Sequence, residues 1–384
     1  MKTPITLTAI LLATSLSFAG CKNNDGDKPV MARHAKTENT KIQVALLLDT
    51  SNSMDGLIEQ AKSRLWNIVN TLTTLKYSGK TPDIEISLYE YGNDGLSAEA
   101  NYIRQVTPLT SDLDLISEKL FSLRTNGGSE YCGAVIQDAT KKLQWATEKS
   151  NMKLLYIAGN EPFDQGRISY KESISDALKN DIYVNTIFCG NALEGINTHW
   201  KDGAEKGNGK YFNIDSDAKV RYVVTPYDDR IYKCNERLNS TYVGYGSIGK
   251  EKKMAQEIQD RNAETVSKAN YTERAVSKSK SVYTNKNWDL VDKVKSDDKA
   301  LSRMKKEELP KELQGKTTEE IKAFVAEKTK EREAIQSEMT ALAKQRQAFI
   351  DDELRNSKTQ DDLGQAITTS IAELARAKGY TIEK

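Results

Sequence analysis

Histidine is almost missing from this chain: His34 and His199 are the only two in 384 residues. Nucleophilic schemes that pair Ser or Cys with His would have to use His199. Its setting, His199-Trp200 ahead of Ala204 at helical spacing, reads better as a helix packing on a core. Proline is scarce as well, 7 in all, so little breaks long helices. Neither sign of charge prevails. Lys and Arg number 56 against 55 Asp and Glu, a net charge of +1, which leaves no electrostatic footprint for nucleic acid. Beyond the first twenty residues no run reaches the roughly 18 apolar residues a membrane-spanning helix needs.

The first residues are different in kind. Met1-Lys2 is a short positive start, and Ile5 to Ala19 is an apolar, small-residue run too short for an ordinary spanning helix. Residues 1–20 therefore read as a signal peptide. Its end, Ser17-Phe18-Ala19-Gly20-Cys21, resembles a lipobox, with Phe18 where Leu is commoner. The resemblance implies that Cys21 becomes the lipidated N-terminus, and anchoring by more than one alkyl chain is stable where one chain is marginal. Residues 21–40, rich in Asn, Asp, Gly and Lys, form a polar tether. Lys22 after the cysteine is similar to outer-membrane lipoproteins. The expected place is the bacterial cell envelope, lipid-anchored, periplasmic or surface-exposed, with membrane contact through the anchor only.

Residues 41–218 alternate strand and helix patterns. Lys41 to Leu48 is a nearly continuous apolar run of strand length, as in a parallel strand covered on both faces. From Met54 the apolar positions Leu57, Ile58, Ala61, Leu65, Ile68, Val69 and Leu72 keep helical spacing. Strands over Ile84–Tyr89, Leu154–Ala158, Ile182–Phe188 and Lys210–Ile214 alternate with helices over Leu113–Leu123, Ala134–Trp145 and Ile174–Lys179. This predicts an α/β fold, a Rossmann-like doubly wound parallel sheet with helices on both faces. Residues 219–384 turn rich in Lys and Glu and predict a mainly α-helical C-terminal region.

In doubly wound sheets ligands bind beyond the carboxyl ends of the strands. The loop there after the first strand is Asp49-Thr50-Ser51-Asn52-Ser53. One carboxylate and two hydroxyls on a tight loop are hard oxygen donors suited to magnesium. A second loop, Thr125-Asn126-Gly127-Gly128-Ser129-Glu130, opens a helix, and a third, Ile157-Ala158-Gly159-Asn160-Glu161-Pro162, follows a buried strand. In this order the three loops resemble the metal-ion-dependent adhesion site of von Willebrand factor A domains, whose first signature is D-x-S-x-S. The resemblance covers residues 41–218 and implies a von Willebrand factor A domain-containing bacterial lipoprotein. It also implies Mg2+, or Mn2+ or Ca2+, held by Ser51, Ser53 and either Glu130 or Ser129, with Asp49 through water. The expected function is divalent-dependent binding, not catalysis: a partner protein's acidic side chain would complete the coordination. Gly159 departs from the pattern, because many relatives carry aspartate there; Asn160 or Glu161 stand beside it. The competing expectation is a structural envelope protein acting through its helical half, with a vestigial metal site.

Other readings of Asp49 fail on context. An aspartic-protease pair belongs to all-β folds, a haloacid-dehalogenase-type site needs a second acid where Ser51 stands, and phosphate-binding glycine motifs are absent from the first strand-helix turn. Cys132, Cys189 and Cys234 remain after Cys21. An exported protein permits disulfides, and a 132–189 bridge along one rim of the sheet stands beside the reading of buried thiols. In the C-terminal half, Thr317 and Glu320 form a capping-box pattern ahead of a long helix to Leu354. Lys328 and Arg332 interrupt its apolar seam, which predicts a helical hairpin or short bundle, with Gln360–Ala377 closing the array.

Overall fold

The computed structural model describes residues 39–218, 220–355 and 363–383. The signal segment, His34, the lipidation candidate Cys21 and nearly all of the tether lie outside the described residues.

β1 (Lys41–Asp49) runs into a 3-10 turn and α1 (Asp55–Thr73). A short β2 (Leu75–Lys76) precedes β3 (Asp83–Tyr91), β4 (Ile103–Thr110), α2 (Leu113–Ser122), α3 (Cys132–Lys142), β5 (Met152–Gly159), α4 (Tyr170–Lys179) and β6 (Ile182–Cys189). Then come α5 (Ala192–Asn197), α6 (Trp200–Lys206) and β7 (Asn208–Ile214). Six strands form one sheet in the order β4-β3-β1-β5-β6-β7, parallel except for β4, which pairs antiparallel with β3. The sheet is thus mostly parallel and flanked by helices, as the alternation predicts. β4 is the strand the pattern does not announce. It is an edge strand, half-exposed, with Pro108 inside it and irregular register, and such strands carry a weak alternation signal.

Burial on both faces follows from the two-residue period of the strands. Ile42, Val44, Leu46 and Leu48 of β1 pack with Leu57, Leu65 and Val69 of α1 in one apolar cluster. Ala45 and Leu47 point the other way and pack with Val135, Ile136, Ile174 and Trp200 of α3, α4 and α6 in a second. All of these side chains are at most 5% exposed, and truncating one such Leu to Ala typically costs about 2–5 kcal/mol.

The C-terminal region is helical, as expected: α7 (Asp228–Ser240), α8 (Gly249–Val266), α9 (Lys268–Lys278), α10 (Leu290–Ser296), α11 (Ala300–Arg303), α12 (Thr318–Arg355) and α13 (Leu363–Ala377), then β8 (Thr381–Ile382). The capping box at Thr317 forms in full: Thr317 N donates to Glu320 Oε2 at 2.7 Å and Glu320 N to Thr317 Oγ1 at 3.2 Å. The long helix expected to reach Leu354 is α12, one unbroken helix to Arg355. Arg332 is buried and donates to Asp289 and Asp292 at 2.8 Å each, with its guanidinium 4.2 Å from the Tyr242 ring centroid. Its charge is neutralised by α10 and the residue capping it, so the helix continues for 38 residues. α13 does not close the helical array either. It lies on the sheet beside α1, where Leu363, Ile367 and Ile371 join the α1-side core and Tyr156 of β5 contacts Ser370 at 2.5 Å. β8 then pairs with β2, and the described residues from 39 onward belong to one compact unit.

Candidate metal centre

The strand order reverses at β1, with β3 on one side and β5 on the other. Such a switch point opens a crevice at the carboxyl ends of the strands. Asp49 ends β1 opposite Tyr91, the last residue of β3, and Gly159 ends β5 one residue past the Leu48–Ala158 pair. Odd-numbered positions of β1 face α3, so Asp49 points toward the helix that follows the second loop.

Backbone hydrogen bonds stitch the loops together. Asn52 N donates to Gly127 O at 2.8 Å, Asn126 N to Thr50 O at 2.9 Å and Thr50 N to Tyr91 O at 2.9 Å. Thr125 Oγ1 adds a side-chain bond to Asp55. The third loop is tied in through Gln165, which accepts from Glu130 N at 3.1 Å, and through the buried Trp200, whose indole donates to Glu161 O at 2.8 Å. Trp200 sits at the start of α6, as the helical reading of His199-Trp200 expects. His199 takes a left-handed backbone and lies 3.7 Å from Asp164.

Asp49 is fully buried. Its Oδ1 accepts from Ser51 N at 2.7 Å, while its Oδ2 has no hydrogen-bond partner. Ser51 and Ser53 bring their hydroxyls within 3.3 Å of each other, and Ser51 makes no side-chain capping bond to the turn that follows. The hydroxyls are thus not consumed in starting a helix. Glu130 is 5% exposed and its carboxylate meets the Ser51 hydroxyl; Ser129 beside it is half-buried. Asn160 Nδ2 donates to Ser53 Oγ at 3.1 Å, and Glu161 is half-buried nearby.

Three glycines line the two carboxylates. A Cβ on Gly92, whose φ of +79° also favours glycine, would lie 2.8 Å from Asp49 Oδ1 and from Glu130 Cγ. One on Gly128 would lie 2.8 Å from Glu130 Oε1, and one on Gly159 would lie 3.0 Å from Asp49 Oδ2. Burial, opposed by the Ser51 amide and reinforced by the charges of Glu130 and Glu161, raises the Asp49 carboxyl to about 7. Burial raises Glu130 as well. Two buried acids with an orphaned oxygen in a glycine-lined cradle are the arrangement a cation relieves. Among the described residues no three His, Cys, Asp or Glu side chains gather to hold a metal by themselves, so a cation here depends on the serine hydroxyls too. The donor set is all oxygen and fits a hard divalent ion. An open groove of about 680 Å³ adjoins it, running from Ser53 and Asn160 past Asn213 to Asp215 and Asp217.

The 132–189 bridge is not formed. Cys132 and Cys189 are buried free thiols. They belong to different cores, Cys132 on the α3 face and Cys189 on the α1 face, so the sheet stands between them. Burial pushes both thiols up, which keeps them unreactive. Tyr91, absent from the sequence reading, is fully buried and donates to Ala158 O at 3.0 Å.

Residues 43–224 match the family model described as von Willebrand factor type A domain. The chain thus carries a von Willebrand factor type A domain, a module that often mediates protein interaction through a divalent metal. Solved structures of low similarity include the conserved hypothetical protein BatB from Bacteroides thetaiotaomicron, 16% identical over 45% of this chain and 90% of that one, TM-score 0.35. An aerotolerance-related membrane protein from Bacteroides fragilis is 16% identical over 46% and 93%, TM-score 0.33. Proximal thread matrix protein 1 of the mussel byssus, with a zinc-occupied MIDAS motif, is 14% identical over 46% of this chain and 42% of that one, TM-score 0.34. No curated protein matches the chain.

Proposed function

We propose that this chain is a divalent-cation-dependent protein-binding module of the bacterial envelope, and that it does no catalysis. The observation that carries the reading is the unpartnered Asp49 Oδ2, buried beside Gly159, in a site that also holds the buried Glu130 carboxylate and paired serine hydroxyls that cap nothing. Ser51, Ser53 and Glu130 would bind Mg2+ or Mn2+ directly, with Asp49 behind them. Bound there, the cation supplies a Lewis-acidic position for an acidic side chain of the partner, and the groove beside Ser53 leaves room for the segment carrying it. Lipidation at Cys21, argued from the lipobox-like end of the signal segment, would hold the module at the membrane. No helix among the described residues is long and apolar enough to cross one.

Calorimetric titration of Mg2+ and Mn2+ into the chain beginning after Cys21 tests this. Binding is expected in the parent and lost in a Ser51→Ala, Ser53→Ala double variant, with thermal stability nearly unchanged. Equal binding in both proteins, or none in the parent even with a carboxylate ligand present, overturns the reading.

A further inference from the structure

α8 turns Gln256, Gln259, Asp260 and Ala263 inward, where Ser117 of α2 donates to Gln259 Oε1 at 2.9 Å and Arg274 of α9 holds Asp260. The helical period puts Glu251, Met254, Ile258 and Arg261 on the opposite side. All four are exposed, Met254 by 53% and Ile258 by 41%. A surface helix ordinarily keeps polar residues at the middle of its solvent face. Here the middle is Met254 and Ile258, with an acid before them and a base after them, at intervals of three, four and three residues. Among the described residues neither Glu251 nor Arg261 has a partner for its charge. The spacing is therefore the same read from either end, while the charge inverts.

We propose that this face binds a second copy of the chain, the two α8 helices lying antiparallel about a two-fold axis level with Gln256. In that register Met254 of each copy lies against Ile258 of the other, and Glu251 against Arg261. A two-fold contact is isologous, so every contact is made twice: two apolar contacts in the middle, closed at both ends by an ion pair. Parallel helices would set Glu251 against Glu251 and Arg261 against Arg261, and like charges placed opposite one another are destabilising. The face is thus complementary to itself, which selects a second copy as its occupant. The stripe spans only about 15 Å of helix, at the small end of specific interfaces, so the association is weak and depends on protein concentration. It shares no residue with the metal centre, and a chelator should leave it unchanged.

The test is sedimentation equilibrium of the chain beginning after Cys21, which contains every described residue, in EDTA and at protein concentrations up to about 1 mM, where even weak pairing is visible. The parent is expected to show a monomer–dimer equilibrium. Glu251→Arg and Arg261→Glu should each weaken it at least about tenfold, because each sets like charges opposite one another at both ends of the contact. In an equimolar mixture of these two variants every opposed pair is again of opposite sign. The mixture should therefore regain the parent's dimerisation, which a variant weakened by misfolding could not do. Met254→Asp, which puts a charge into the apolar middle, should leave a monomer. A parent that stays monomeric at the highest concentration overturns the proposal. So does a dimer that survives either charge reversal or Met254→Asp, since it lies on another surface, and so does a mixture no more associated than its two components.

Discussion

Two of the places where the molecule buries charge treat it in opposite ways. Between α2, α8 and α9, Asp260 accepts from Arg274 Nε at 2.6 Å and from Lys278 Nζ at 2.9 Å, and Arg274 also donates to Asp114 at 2.8 Å. Asn235 and Asn239 donate to Asp260 as well, and Tyr283 donates to Asp114 at 2.6 Å. At the end of β1, by contrast, Asp49 is as deeply buried, has Glu130 for a neighbour, and keeps one oxygen unpaired. Buried ions normally have partners. A network that supplies them within the chain is architecture, whereas one that leaves an acid unpaired expects its partner from solution.

Removing an acid from each place should therefore have opposite effects on stability. Asp260→Asn leaves the buried Arg274 and Lys278 without their counter-charge, and breaking a buried pair in this way costs about 3–5 kcal/mol. Denaturant unfolding at neutral pH should show a loss of that size. A loss below about 1 kcal/mol, the range of exposed pairs, would mean that water reaches the network. The pH dependence has a definite sign. Burial raises Asp260, but Lys278 and Arg274 outweigh it and hold the carboxyl well below the usual range. Its contribution is present above the unfolded-state value of about 3.9 and is lost as pH falls below it, so the parent should lose stability in acid more steeply than Asp260→Asn.

Asp49→Asn should do the reverse in metal-free protein. Burial, with Glu130 and Glu161 adding to it, raises the Asp49 carboxyl to about 7. The folded state therefore holds a proton that the unfolded chain releases near 3.9, and the parent loses stability as pH rises from about 4 to 7. The Asp49→Asn variant removes that slope. Above pH 7 it should be the more stable protein by about 2–4 kcal/mol, taking about 1.36 kcal/mol for each pH unit and allowing for relaxation. Saturating Mg2+ should stabilise the parent and leave the variant unmoved. A variant less stable than the metal-free parent at pH 8 would show that Asp49 is held by partners within the chain, and the contrast between the two regions would collapse.

Much of the site at the end of β1 is legible in the sequence, and little of the buried network in the helical half. The D-x-S-x-S loop, the glycines at 127 and 128 and the acid at 130 are local features on a strand-loop-helix pattern, and local patterns survive in sequence. Tyr91 does not stand out, because its place at the site comes from the register that sets it opposite Asp49 and next to Gly159. The disulfide reading failed for a related reason: strand parity, not nearness to the rim, decides which face a cysteine occupies. In the helical half, Arg274, Lys278 and Arg332 look like solvated positions on charge-rich helices until long-range packing brings Asp260, Asp114 and Asp289 to them. The return of α13 to the α1 face is likewise a contact across 303 residues of chain, as in Leu363 N donating to Gln60 Oε1 at 3.2 Å.

The smallest effect separates local from long-range stabilisation inside the helical half. Thr317 and Glu320 cap α12 by two reciprocal backbone bonds, both at exposed positions. Thr317→Ala removes one of them and should cost about 1 kcal/mol. Hydrogen exchange is the informative readout, because fraying should reach the first turns of α12 only. Ile335 and Met339, fully buried in the core that also contains α1, and Arg332, held by Asp289 and Asp292, belong to the cooperative interior of the helix. Protection there should be unchanged beyond the small global loss. If faster exchange instead spreads past Arg332 to the middle of α12, the helix is held mainly from its capped end, and the buried ion pairs contribute less to its continuity than their geometry implies.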